Sequence, residues 1–83
     1  MQATKSFKIG EYAVGGIIKV EVTGKVIQVK NLDWNTKEIV QSGSCMTYEP
    51  NAKQKLEDYL EDVTSYYYTE KVMKWIESVV KLG

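Results

Sequence analysis

Histidine and arginine are both absent from this sequence, which also contains only one cysteine and one proline. The lack of histidine removes the commonest general base and the commonest metal ligand of proteins. Ser-His and Cys-His catalytic couples are therefore excluded, and a single cysteine without histidine leaves no structural zinc site. We expect no enzymatic activity, no metal and no cofactor, although a site built from carboxylates alone stays open.

Charge is balanced, with 11 basic residues, all of them lysine, against 11 acidic residues. Proteins that bind nucleic acid usually carry a basic excess that neutralises phosphates. They also favour arginine, whose planar fork grips phosphate or guanine with two hydrogen bonds. This composition disfavours nucleic acid as a partner, but it leaves room for a local basic patch.

Long hydrophobic runs are missing as well, so no segment resembles a membrane span. The first five residues lack the apolar stretch of a signal peptide. Cys45 has no partner for an intrachain disulfide and is predicted to be a half-buried thiol near the end of a strand. We therefore expect one domain over residues 1–83, located in the cytoplasm and without a membrane partner.

The clearest pattern lies in residues 17–32, where Ile18, Val20 and Val22 alternate with Lys19 and Glu21 in the period-two pattern of a half-buried strand. Thr23 and Gly24 are predicted to be the turn between two strands, because glycine accepts the positive φ that hairpins require. With this turn, Val20 pairs with Ile27, and apolar residues of one strand lie opposite apolar residues of the other along most of the hairpin.

Further strands are predicted on both sides of this hairpin. One covers residues 6–12 and is followed by a turn at residues 15–16. Another covers residues 37–42, with a continuation through Met46 left open. The Asp and Asn residues of the segment 31–36 are typical of a tight turn. Short connections of this kind favour an up-and-down antiparallel sheet, since parallel strands need long crossovers.

Two amphipathic helices are predicted in the second half of the chain. Pro50 suits the first turn of the first helix, and Thr69 is predicted to cap the second, which would stop at Gly83. Their apolar stripes are Ala52, Leu56, Tyr59, Leu60 and Val63, then Val72, Met73, Ile76, Val79 and Val80. The predicted fold class is therefore α+β: an antiparallel meander of three to four strands followed by two helices packed on one face.

An acidic cluster ends the first predicted helix and consists of Glu57, Asp58, Glu61 and Asp62. Like charges at i, i+4 each cost about 0.2–0.5 kcal/mol, and acids near a helix C-terminus also oppose its dipole. The second helix instead has favourable spacings, with Glu70 before Lys74 and Glu77 before Lys81. Because the sequence keeps these like charges despite their energetic cost, we interpret the cluster as a surface that binds a basic partner. The alternatives are a solvated face or neutralisation by sheet lysines such as Lys19 or Lys30.

Aromatic residues give a second indication of a binding surface. Trp34 lies in a predicted turn, where little of the sheet can cover a large ring. Tyr66, Tyr67 and Tyr68 are consecutive, so they cannot all face the core. Exposed Trp and Tyr residues are enriched at binding hot spots. The alternative is that Trp34 covers an open end of the core and the tyrosines fill the gap between the helices.

These patterns predict a small non-catalytic module that binds another protein of basic character. The predicted partner-binding residues are Glu57, Asp58, Glu61, Asp62, Tyr66, Tyr67 and Trp34. A homo-oligomer is a variant of this hypothesis, because an open edge strand or an aromatic patch can self-associate. The alternative function is a nucleic-acid-binding module that uses the outer face of the sheet, where Lys19, Gln28 and Lys30 would lie together near Trp34.

Overall fold

The structure, a computed structural model, describes residues 2–82 and contains four strands followed by two α-helices. The elements are β1 (Gln2–Lys8), β2 (Gly16–Thr23), β3 (Val26–Asp33), β4 (Ile39–Met46), α1 (Ala52–Val63) and α2 (Tyr66–Val79). The strands form one antiparallel sheet in the order β1-β2-β3-β4. The predicted α+β class, a meander followed by two helices, is confirmed. Pro50 lies in the turn before α1 rather than in its first turn.

The central hairpin has the predicted strands, but its turn is one residue later than predicted. Gly24 and Lys25 form the loop, so Val20 pairs with Val29 instead of Ile27. Because side chains alternate with period two, this register shift of two residues leaves the same residues facing the core. Gly24 has a φ of +60°, which suits the first central position of a type II′ turn.

The outer strands differ from their predicted bounds. β1 ends at Lys8, because Gly10 has a φ of +73° and begins a short 3-10 turn over Gly10–Tyr12. This turn replaces the second half of the strand predicted at residues 6–12. β4 does continue through Met46 but begins only at Ile39, since Lys37 has a φ of +64° that a strand does not accept.

The core lies between α1, α2 and the inner face of the sheet. Its buried hydrophobic side chains include Ile18, Val20, Val22, Ile27, Val29, Leu56, Leu60, Val72, Met73 and Ile76. Tyr59, Val79 and Val80 belong to the predicted stripes but are only partly buried. Cys45 is more deeply buried than predicted, with 5% of its surface exposed. That burial, followed by the nearby charge of Glu49, raises the pKa of its thiol.

The second helix begins earlier than predicted. Its N-cap is Ser65, whose hydroxyl accepts a hydrogen bond from the backbone N–H of Tyr68 at 3.5 Å. Thr69, the predicted cap, lies one turn inside the helix and is buried, and its hydroxyl donates to the Ser65 carbonyl at 3.0 Å. The tyrosine run therefore opens the helix. The helix ends at Val79, and the stop predicted at Gly83 lies outside the described residues.

Candidate functional site

Three connections meet at one end of the molecule, which we call the loop end. They are residues 9–15 between β1 and β2, residues 34–38 between β3 and β4, and residues 64–65 between the helices. Backbone hydrogen bonds join them to one another. The N–H of Val14 donates to the carbonyl of Val63 at 2.8 Å, and that of Trp34 donates to the carbonyl of Gly15 at 2.6 Å. The loop end is therefore a connected surface.

Most exposed large hydrophobic side chains of residues 2–82 lie at the loop end. They are Tyr12, Val14, Trp34, Ile39, Val40, Tyr66 and Tyr67, whereas Tyr48 lies at the opposite end. Contiguous exposed apolar groups mark interaction surfaces far more often than scattered ones do. All three aromatic residues predicted to bind a partner belong to this set, so the fold brings them to the same end of the molecule.

Trp34 is held in a fixed position although 47% of its surface is exposed. Its side chain lies against Gly16, where an added Cβ would come within 3.1 Å of the Trp34 Cβ and 3.3 Å of its ring. The Lys37 ammonium lies 5.4 Å from the centre of the ring. One face of the indole thus already carries a cation from the same chain, which is the arrangement of a cation–π contact.

The turn that carries Trp34 is fixed by an aspartate. The Asp33 carboxylate accepts hydrogen bonds from the backbone N–H groups of Asn35 at 2.8 Å and Thr36 at 3.0 Å. These bonds, first that of Thr36 and then that of Asn35, hold the pKa of Asp33 below its usual value. The sequence prediction of a tight turn built by Asp and Asn side chains is confirmed here for Asp33 but is wrong for Asn31, which lies within β3 and is buried.

Tyr66 and Tyr67 open α2 and are 67% and 58% exposed. Tyr67 meets Tyr68 edge to face with ring centres 5.1 Å apart, and Tyr68 contacts Tyr12 at 5.9 Å. Of the three consecutive tyrosines, only Tyr68 packs against the core. It anchors the exposed rings and links the start of α2 to the β1–β2 connection.

The four acidic residues of α1 divide between two faces of the helix. Glu57 and Glu61 line a groove between α1 and α2. Asp62 instead faces the β1–β2 connection, and Asp58 accepts a hydrogen bond from Gln54 at 2.7 Å. Within residues 2–82, none of these four carboxylates forms an ion pair with a lysine. The cluster is therefore two unneutralised pairs rather than one patch.

The sheet lysines do not neutralise this cluster, because they pair on the outer face. The Lys30 ammonium lies 2.8 Å from the Glu21 carboxylate, and the Lys19 ammonium lies 3.4 Å from it. The hydrogen bond from Lys30 is the main cause that lowers the pKa of Glu21. Gln28 is the β3 partner of Glu21, so the predicted polar outer face exists with an acid at its centre.

Three carboxylates lie near the Tyr66 hydroxyl in the groove between the helices, and Lys53 and Lys74 line the same groove. Glu70, Glu61 and Glu57 all raise the pKa of Tyr66, and Glu70 has the largest effect. Glu70 was not among the predicted partner-binding residues, because its spacing to Lys74 predicted an ion pair within α2. No such pair forms within the described chain. The groove is thus more acidic than the sequence indicated.

The favourable ion pairs predicted within α2 are replaced by a contact between the helices. Glu77 lies 3.5 Å from Lys53 of α1 instead of pairing with Lys81. Both side chains are well exposed, so this pair contributes only about 0–1 kcal/mol to stability. It lies at the groove end away from Tyr66 and leaves the acidic end open.

Sequence reasoning missed Tyr12 and Val14 as surface residues. Tyr12 was assigned to the first strand, although Gly10 inside that pattern is a recognised sign of a break.

Comparisons of the chain with protein-family models, curated proteins and solved structures gave no match. Within residues 2–82, the helices are too short or too polar to span a bilayer.

A polar site lies inside the core, in the half next to the loop end. Asn31 is fully buried, and neither its amide nor the Tyr59 hydroxyl has a partner of good hydrogen-bond geometry within the described residues, although the two groups lie close enough for the amide to act on the Tyr59 pKa. The Tyr59 ring lies against Gly43, where an added Cβ would be 3.2 Å from the ring. Burial raises the pKa of Tyr59, and the neighbouring Asn31 amide acts in the opposite direction.

Proposed function

We propose that this protein is a non-catalytic binding module that recognises a basic segment of another protein through its loop end. The observation that carries the proposal is the meeting of exposed aromatic rings with carboxylates that have no lysine partner in the described chain. Aromatic residues supply contact area at low entropic cost, and the carboxylates supply charge-assisted hydrogen bonds to Lys or Arg.

The aromatic rings are also placed to receive cations. Tyr67 carries the Lys71 ammonium 4.9 Å from its ring centre, and Trp34 carries that of Lys37 at 5.4 Å. Arginine is absent from this chain but forms the commoner cation–π contacts. An arginine side chain of a partner can take the place of either lysine.

The negative charge is spread out, which supports an extended partner over a bound ion. Within residues 2–82, the acidic side chains form no group of three close enough to hold a metal ion. Glu57 and Glu61 lie on the groove side of α1, and Asp62 lies on the side of the β1–β2 connection. A basic peptide of several residues can contact both faces across the end of the helix.

The alternative of nucleic-acid binding has less support. Its surface would be the outer face of the sheet, where Glu21 lies between Lys19 and Lys30 and cancels part of their charge. Phosphate binding requires uncompensated positive charge. We therefore do not advance it as a second proposal.

A peptide titration followed by NMR tests this proposal. The probe is a decapeptide rich in Arg and Leu, with an acidic decapeptide of the same length as its control. We expect shifts confined to the loop end, and about thirtyfold or greater weakening by Trp34→Ala, as for a hot-spot residue. Tyr48→Ala, which removes an exposed tyrosine at the opposite end, is the matched control and should leave binding unchanged.

A second titration tests the role of charge and uses the double variant Glu57→Gln/Glu61→Gln. We expect this double variant to weaken binding and to reduce its dependence on salt. Shifts at Lys19 and Lys30, equal binding of the two peptides, or equal effects of Trp34→Ala and Tyr48→Ala would each contradict the proposal.

A further inference from the structure

Two clefts flank the connection between β1 and β2, and Glu11 lines both of them. The first cleft has a volume of about 510 Å³ and is lined by Glu11, Asp33 and Trp34 together with three glycines. The second has a volume of about 480 Å³, and its lining includes Glu11, Tyr12 and Asp62. Each cleft therefore combines two carboxylates with an exposed aromatic ring.

The negative charge of these clefts is less compensated than that of the groove between the helices. Lys53 and Lys74 line that groove, whereas no lysine of the described chain lines either cleft. Glu11 and Asp62 are exposed and form no ion pair within residues 2–82. Lys37, on the β3–β4 connection, donates a hydrogen bond to the Trp34 carbonyl at 2.5 Å. The clefts therefore complement a cation of a partner better than the groove does.

The segment that carries Glu11 is held in place from both sides. On the side of the helices, the Thr64 hydroxyl donates to the Tyr12 carbonyl at 2.7 Å. On the side of the sheet, the N–H of Trp34 donates to the Gly15 carbonyl at 2.6 Å. A surface that is ordered before binding loses little conformational entropy when a partner binds. The backbone at Glu11 is thus positioned in advance between the two clefts.

We propose that Glu11 makes the loop end select arginine over lysine in its partner, with the guanidinium in the first cleft against the Trp34 ring and beside the Glu11 carboxylate. A guanidinium is planar, so it stacks on an aromatic ring and can form two parallel hydrogen bonds with a carboxylate, whereas an ammonium is a point charge. Trp34 lines the same cleft and is 47% exposed. Asp33 adds a second negative charge there, although its carboxylate also holds the turn. The inference rests on the proposed function, because it names the side chain that the loop end recognises.

Paired peptide titrations of the full chain test this assignment. The probes are the decapeptide rich in Arg and Leu and a second decapeptide with Lys at each Arg position. We expect the native chain to bind the arginine peptide about fivefold more tightly, as an exposed cation–π contact allows. Glu11→Gln should remove this preference. Glu38→Gln is the matched control and should keep it, because Glu38 is an exposed glutamate of the loop end that has no ion pair in residues 2–82 and lines neither cleft.

The ratio of the two affinities separates this inference from the proposed function. Glu57→Gln/Glu61→Gln should weaken both peptides alike and keep the ratio, because the groove attracts either cation. Binding at the loop end with a ratio near one in the native chain, or a ratio that Glu11→Gln leaves unchanged, would overturn the inference while the proposed function stands. Absence of binding by either peptide would overturn both. The NMR spectrum of Glu11→Gln without peptide should match that of the native chain outside residues 9–16, which shows that the variant is folded.

Discussion

The strands and helices are connected in different ways at the two ends of this molecule. At the end opposite the loop end, Gly24 and Lys25 form a two-residue turn, and the Glu49 carboxylate accepts a hydrogen bond from Lys55 at 2.7 Å. These contacts are local in sequence. At the loop end, the Thr64 hydroxyl donates to the Tyr12 carbonyl at 2.7 Å, across most of the chain.

The comparison suggests how a small protein combines stability with a binding surface. Short turns close one end, together with one backbone hydrogen bond from Thr47 to the Lys25 carbonyl at 2.8 Å. Contacts between distant segments order the other end, where aromatic residues stay exposed. The two halves of the core also differ. The buried polar residues of the described chain, Asn31 and Thr69, both lie in the half next to the loop end. We therefore expect substitutions at the loop end to have the larger effects.

The largest effect is expected for Gly15→Ala. Gly15 has a φ of +83°, and an added Cβ would lie 2.7 Å from the carbonyl oxygen of Leu32, which is backbone and cannot move aside. Left-handed strain and overpacking together should lower the free energy of unfolding by about 2–5 kcal/mol. Urea denaturation measures this loss.

The matched control at the other end is Gly24→Ala. Gly24 also has a positive φ, +60°, but an added Cβ meets no atom within 4 Å. Only the conformational cost of about 1–2 kcal/mol should remain. Equal losses for the two variants would show that the ends are equally tolerant and would remove the basis of the comparison.

A gain in stability is expected for Asn31→Leu. Leucine keeps the branched shape of asparagine but is larger, and it removes two buried polar atoms that lack hydrogen-bond partners within the described residues. Leaving such groups unpaired costs about 1–3 kcal/mol, and the added volume offsets part of the gain, so the variant should unfold with a free energy higher by about 1 kcal/mol. Thermal and urea unfolding both measure the difference.

Thr69→Val provides a control of opposite sign in the same half of the core. The Thr69 hydroxyl is buried but donates to the Ser65 carbonyl, so its loss should cost about 0.5–1.5 kcal/mol. A destabilised Asn31→Leu variant would mean that the amide is satisfied in solution, and the core would then not differ between the two ends as described.

The sequence predicted the elements better than their ends. Alternating side chains located β2 and β3, and helical stripes located α1 and α2, because those periods follow from burial on one face. The turn of the hairpin was wrong by one residue, since Thr23-Gly24 and Gly24-Lys25 both offer a glycine. Thr69 was wrongly chosen as a cap because Ser65 and Thr69 both carry capping hydroxyls and only tertiary packing buries one of them.

The candidate surface was only partly accessible to sequence reasoning. Trp34, Tyr66 and Tyr67 were selected one by one as rings with too little structure to cover them. A meander followed by two helices does imply that their connections lie at the same end, yet the contact between Tyr12 and Tyr68 depends on packing across 56 residues of chain. The division of the acidic cluster between two faces follows from helical spacing and could have been predicted.

The smallest expected effect concerns one carboxylate at each end. Asp33 and Glu49 both have a lowered pKa, but backbone N–H groups are the main cause for Asp33, whereas the Lys55 ammonium is the main cause for Glu49. A carboxyl whose pKa is lower in the folded state stabilises the fold above its unfolded pKa of about 4. This contribution is lost as the pH falls through the folded-state value.

Salt should separate the two groups, because it screens the charge of an exposed lysine more than it weakens a short hydrogen bond to the backbone. We expect the pKa of Glu49 to rise toward its usual value in about 1 M salt, while that of Asp33 moves less. An NMR pH titration at low and high salt measures both values in one sample. Lys55→Gln should reproduce the effect of salt on Glu49 and leave Asp33 unchanged. If both groups respond to salt alike, the turn at the loop end depends on the charge of Lys37, the weakest contributor to the low pKa of Asp33, more than on the backbone bonds that define it.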